Sequence, residues 1–193
     1  MSPLTSEEKQ FLLRLARQAV ADRLEGKQPA ALTRELPPIS PALEHSAGVF
    51  VSLHKAGELR GCVGLVEPRI PLYRAIMQAA VSAALEDPRF YPVRAPELEE
   101  LDIEISLLSP CQPIAPDQIQ IGIHGLIVSQ GQARGLLLPQ VAVERQWGRE
   151  RFLEETCRKA GLPLNAWRTG ARVEAFRAEV FGERSAAGEN RSG

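Results

Sequence analysis

Five consecutive residues, Arg60, Gly61, Cys62, Val63 and Gly64, bring a guanidinium, a thiol and two glycines together. Read as a strand, Arg60, Cys62 and Gly64 share one face, which predicts a cation beside a thiol. An adjacent guanidinium favours the thiolate, so Cys62 is a candidate nucleophile or redox group and Arg60 a candidate holder of an anionic substrate group. Glycine weakens a strand and is tolerated where a bulge, a ligand or another backbone comes close, which makes Gly61 and Gly64 candidate substrate-binding positions. The competing explanation is a buried cysteine behaving as a small hydrophobe, and such cysteines outnumber reactive ones.

Other polar residues interrupt their surroundings. Glu104 breaks an apolar alternation and is a candidate general acid or base, although most such carboxylates face water. His124, placed in a turn before Gly125, offers a titratable imidazole, but histidine is also a tolerable turn residue. Gln140 and Glu144 lie four apart on one helix face, a candidate polar wall or an exposed stripe. Arg89 and Lys159 are candidate anion binders, and more often such residues are solvated charges. Nucleotide phosphate loops, dinucleotide fingerprints, H-E-x-x-H and paired C-x-x-C motifs are absent, so no cofactor is named by the sequence. Nothing in the spacing of His45, His54 and Cys62 predicts a metal site.

The elements that must position these residues follow from periodicity and punctuation. Thr5 and Glu8 form a capping box ahead of a helical stripe ending at Gly26. Pro29, Pro37, Pro38 and Pro41 make 27–47 an extended surface stretch, an arm or lid. Val49 to Leu53 and Leu59 to Val66 read as a β-hairpin across a glycine-containing turn. A small-residue helix from about Ile70, with Pro71 in its first turn, runs to Leu85 and is the expected central buried helix. Leu101, Ile103, Ile105 and Leu107 alternate with polar residues as a strand. Ile119 to Val128, Arg134 to Leu138 and Val173 to Phe181 read as further strands, with helices from Pro139 to Trp147 and on to Ala160. Hairpins require antiparallel pairing, so the expected class is α+β, a largely antiparallel sheet packed with helices. The expected domain is 1–181, and the small, polar 182–193 stretch is expected to be a disordered tail.

Composition sets the outer bounds. The chain has 193 residues, 44% hydrophobic, and a net charge of -1, so it can bury a core but offers no global positive field for nucleic acid. Three dispersed cysteines argue against a disulfide framework and suit a reducing compartment. No apolar run reaches the ~20 residues needed to cross a bilayer, and no secretory leader is seen, so the cytoplasm is expected.

The run from Leu59 to Gly64 closely resembles the signature hexapeptide of the AMMECR-type domain family, with Val63 where isoleucine is usual. Gly48 to Leu53, Ser82 to Phe90, Leu101 to Ser109, His124 to Leu126, Leu138 to Ala142 with Glu144 and Trp147, and Cys157 to Leu162 resemble further motifs. The likeness spans about Phe11 to Phe181 and is strongest to the prokaryotic branch, the protein A component of AmmeMemoRadiSam systems. It implies a larger and a smaller lobe with the signature near the cleft between them. It also implies work alongside a Memo-type protein and a radical S-adenosylmethionine enzyme. It implies no defined reaction: a cleft enzyme or substrate-handling subunit, a non-catalytic adaptor, and an RNA or nucleotide factor all remain open.

Overall fold

The computed structural model describes residues 4–27, 40–67 and 69–184. Most of the expected arm or lid, at 28–39, and the chain from 185 onward lie outside the described residues. The described residues through Leu107, with those from Val180 onward, form one compact unit, and Leu108–Glu179 form another.

The first unit opens with α1, Ser6–Leu24. The Thr5 hydroxyl accepts from the Glu8 N–H at 3.2 Å, and the Glu8 carboxylate accepts from the Thr5 N–H at 2.8 Å, which satisfies two helix-terminal donors. Such a cap stabilises by about 1 kcal/mol. The short helix α2, Pro41–Glu44, begins at Ser40, whose side chain accepts from Ala42 N–H. Next come β1, Val49–Lys55, and β2, Glu58–Leu65, an antiparallel hairpin. Its turn residues Ala56 and Gly57 both have positive φ, 52° and 87°, as a tight hairpin turn requires. Helix α3, Leu72–Leu85, buries Ala75, Ala79, Ala80, Ala83 and Ala84, small side chains that let it lie close against its neighbours. Pro71 is its N-cap rather than a first-turn residue.

Strand β3, Leu101–Leu108, pairs antiparallel with β1. Val49, Val51, Leu53, Leu101, Ile103, Ile105 and Leu107 are buried with the apolar faces of α1 and α3 in a single hydrophobic cluster. The opposite face of the sheet therefore carries Phe50, Ser52, His54, Asp102 and Glu104. Arg17 of α1 donates to both oxygens of Glu183, at 2.7 and 2.6 Å, and to the carbonyls of Leu98 and Leu101. Glu183 also accepts from the Ile103 N–H at 2.8 Å. Gly182 and Glu183, expected in the tail, are placed otherwise: Gly182 belongs to a strand, and Glu183 is held by an arginine fork that composition does not reveal.

In the second unit, a two-residue strand β4, Gln112–Pro113, and β5, His124–Gln130, both pair antiparallel with β7, Arg172–Gly182, whose last residues belong to the first unit. β5 also pairs with β6, Ala133–Leu137. The strand expected from Ile119 begins only at His124. Pro116–Gln118 forms a 3-10 turn and Gly122 takes φ 82°, so the Ile119, Ile121, Ile123 alternation is not extended chain. Helix α4 stops at Glu144 instead of reaching Trp147, with Gln146 at φ 54°, and α5 covers Arg149–Lys159. Phe152, Leu153, Leu126 and Ile119 are central to this unit's core. The α+β, antiparallel reading holds throughout. No helix among the described residues is long and apolar enough to cross a membrane.

Candidate functional site

The Arg60 to Gly64 segment lies on β2, but the alternation that placed Arg60 beside Cys62 is interrupted. The β1–β2 register shifts between Leu53 and His54, so Gly61 opposes Leu53, Leu59 opposes His54, and Arg60 is the extra residue of a bulge. Its guanidinium donates to Glu97 at 3.1 Å and to the Tyr91 carbonyl at 2.8 Å. Arg60 draws the Glu97 carboxylate below its ordinary value, burial opposing. Sequence reasoning assigned this cation to the thiol; the structure commits it to a carboxylate in the 3-10 segment Ala95–Glu100.

The two glycines are explained by packing. A Cβ on Gly61 would lie 2.1 Å from the Ala83 carbonyl oxygen, so the backbone of α3 occupies that space. A Cβ on Gly64 would lie 2.3 Å from the ring of Phe50, its register partner. Of the alternatives a strand glycine allows, a close backbone is found at Gly61 and a covering ring at Gly64.

Cys62 is anchored through its main chain. Its N–H donates to Asp87 at 2.8 Å and its carbonyl accepts from Arg89 at 3.1 Å. Arg89 also donates to Asp87 through its own N–H, Nε and a terminal nitrogen, at 3.1, 2.9 and 2.7 Å. With only 3% of its side chain exposed, Asp87 has every acceptor direction occupied. These bonds, from Arg89 first and then the backbone N–H groups, hold its carboxyl far below the usual carboxylate range against the opposing effect of burial. Asp87 is not among the candidates named from the sequence. In the structure it caps the outer edge of β2 and makes Arg89, not Arg60, the cation beside Cys62.

The Cys62 side chain is half-buried, and its Sγ accepts a hydrogen bond from the Ser52 hydroxyl at 3.2 Å. Ser52 pairs with Cys62 on one side and with Glu104 on the other. Thiol, hydroxyl and carboxylate therefore form one row across β2, β1 and β3, on the face turned away from the helix-packed core. Sequence reasoning found the two ends of this row. The middle, Ser52, needed the register, which no local pattern displays.

The remaining candidates lie in the second unit. His124 is the first residue of β5, not a turn residue, and its Nδ1 accepts from the Gln120 N–H at 3.2 Å. Burial, with a smaller effect from Arg177, lowers its pKa. Gln140 is half-buried on α4 while Glu144 is exposed at its end. Lys159 is exposed at the C-terminus of α5. No group of three metal-ligating side chains occurs among the described residues.

Comparison with known proteins agrees with these motifs. Residues 13–181 match the AMMECR1 family. A protein of Methanothermobacter thermautotrophicus is 44% identical over 190 residues, covering 94% of this chain and 97% of the relative. Protein MK0488 of Methanopyrus kandleri is 46% identical over 192 residues, covering 93% and 90%. The crystal structure of an uncharacterised protein, PH0010 from Pyrococcus horikoshii, superposes with a TM-score of 0.83 at 41% identity, covering 93% of each chain. With the family spanning nearly the whole described fold, the chain belongs to the AMMECR1 family.

Proposed function

We propose that this protein is a cytoplasmic substrate-handling protein whose working group is the Cys62 thiol, with Ser52 and Glu104 in line behind it. The supporting observation is the row itself: a half-buried cysteine whose sulfur receives a hydroxyl hydrogen bond, on a strand locked from the other edge by Asp87 and Arg89. A hydroxyl donating to the sulfur suits a nucleophile or covalent carrier. Glu104, two strands from the thiol, faces the substrate from the far end of the row. Asp87 is a positioning residue. The resemblance to the AmmeMemoRadiSam branch supplies the proposed partners, a Memo-type protein and a radical S-adenosylmethionine enzyme.

Alkylation by iodoacetamide, followed by peptide mass spectrometry, tests this reading. Cys62 is expected to react faster than glutathione at neutral pH and to slow when Ser52 becomes alanine. Reaction no faster than the free thiol sinks the nucleophile role.

An adaptor role has one observation in its favour: Tyr91, whose carbonyl anchors Arg60, leaves its side chain 91% exposed beside the signature, and Leu59 is 39% exposed. It predicts that Tyr91→Ala weakens capture of the Memo-type protein while Cys62→Ser does not. A nucleic-acid role is disfavoured by pairing, since Arg17, Arg60, Arg89, Arg151, Arg168, Arg172 and Arg184 all face carboxylates.

A further inference from the structure

A hollow of about 190 Å³ opens in the first unit, its lining including His54, Asp102, Glu104, Glu183 and Arg184. At ~30 Å³ per water it has room for roughly six waters, or one small polar molecule. His54, Asp102 and Glu104 share the sheet face that also carries Ser52 and Cys62, so the hollow and the thiol belong to one surface.

The charges around it do not balance. Asp102 is paired with Arg184, and Glu183 is paired with Arg17 and bonded to the Ile103 N–H. Beyond the rim, Arg60 is paired with Glu97, and Arg89 with Asp87. The Glu104 side chain has no hydrogen bond or ion pair among the described residues, and the His54 side chain has none either. Subtracting the matched pairs leaves one carboxylate facing the hollow with an imidazole nearby. A partly enclosed carboxylate without a partner carries a desolvation cost that a bound cation with N–H donors removes. Two ligating side chains are too few for a tight divalent site, whereas an ammonium needs only two or three acceptors.

We propose that this hollow binds a small organic ammonium ion, its charge met by the Glu104 carboxylate and one of its N–H groups donating to the His54 imidazole. The inference rests on the Cys62-centred reading for its place in function: the ammonium is the anchored end of the substrate whose other end meets the thiol. Two interstrand spacings separate Glu104 from Cys62, about 10 Å, so one small molecule spans both. The substrate class is therefore a primary amine rather than the anion that Arg60 first suggested.

The test is a titration of the full chain with 1,3-diaminopropane, followed by ¹H–¹⁵N amide shifts, beside 1,3-propanediol and Mg²⁺ as controls. Saturable shifts are expected at His54, Glu104 and Gly182 with the diamine only. Glu104→Gln is expected to weaken that binding by about tenfold or more, since a charge-assisted bond is lost. Because Glu104 bonds to nothing, its melting temperature should stay within about 2 °C of the parent. Absence of saturable diamine shifts, equal binding by the diol, saturation by Mg²⁺ alone, or undiminished binding in the folded Glu104→Gln protein each overturns the ammonium site. Cys62→Ser separates the two readings: it is expected to bind diamine as the parent does, and that result stands even if the alkylation test removes the nucleophile.

Discussion

The two units solve the same packing problem with the same pair of devices. In the first, Gly61 admits the backbone of α3 and Gly64 lies under the ring of Phe50. In the second, Gly135 admits the end of α5, with a Cβ there 2.3 Å from the Ala160 nitrogen, and Gly125 lies under the ring of Phe176, its register partner. Because both units carry the pattern, packing accounts for the glycines of the signature. What sets the first unit apart is what surrounds its glycines: a bulge that sends Arg60 to Glu97, an edge capped by Asp87, and a thiol in line with Ser52 and Glu104. Of the second unit's two cysteines, Cys111 is half-buried, and Cys157 is fully buried on α5, where burial pushes its thiol pKa up.

The comparison is most exposed at the glycines. Gly61→Ala and Gly135→Ala each drive a methyl into helix backbone, which cannot step aside, so each is expected to lose at least ~3 kcal/mol in denaturant unfolding or fail to fold. Gly64→Ala and Gly125→Ala meet only a phenylalanine ring, which can rotate, and should cost about 1 to 2 kcal/mol. If Gly61→Ala costs no more than Gly64→Ala, the two-device account is wrong.

A smaller effect sharpens the difference between the units. Asp87→Asn weakens a buried, charge-assisted anchor between distant segments and is expected to cost about 2 kcal/mol near neutral pH. The folded Asp87 carboxyl titrates below its unfolded value of about 3.9, so its contribution is complete above that value and is lost as pH falls through the folded one. The gap between parent and variant should therefore begin to narrow below about pH 4 and keep shrinking as pH falls, and a gap that persists unchanged to lower pH contradicts the assignment. In the second unit, Thr156 is as deeply buried but donates only to the Phe152 carbonyl one helical turn away, at 2.7 Å. Thr156→Val should cost less, about 1 kcal/mol or under, with no acid dependence of its own.

Local signals were well written in the sequence. The Thr5 and Glu8 box, the Ala56–Gly57 turn and the alternation from Leu101 to Leu107 are short-range patterns, and each formed the element it predicts. What the sequence hid depends on residues far apart in the chain. A single extra residue at Arg60 undid the face assignment, since a period of two carries no memory across a bulge. Asp87 reads as a helix stop and acts as a strand-edge cap, because 25 residues separate it from Cys62. The Ile119 to Ile123 alternation looked like strand until Gly122 turned the chain.

The fork of Arg17 onto Glu183 joins residues 166 positions apart. During synthesis the helix bearing Arg17 emerges long before its counter-charge, and the whole of Leu108–Glu179 must be made in between. The intervening unit thus has time to collapse on its own local contacts, while the flanking unit waits for the last strand to arrive before its sheet is finished.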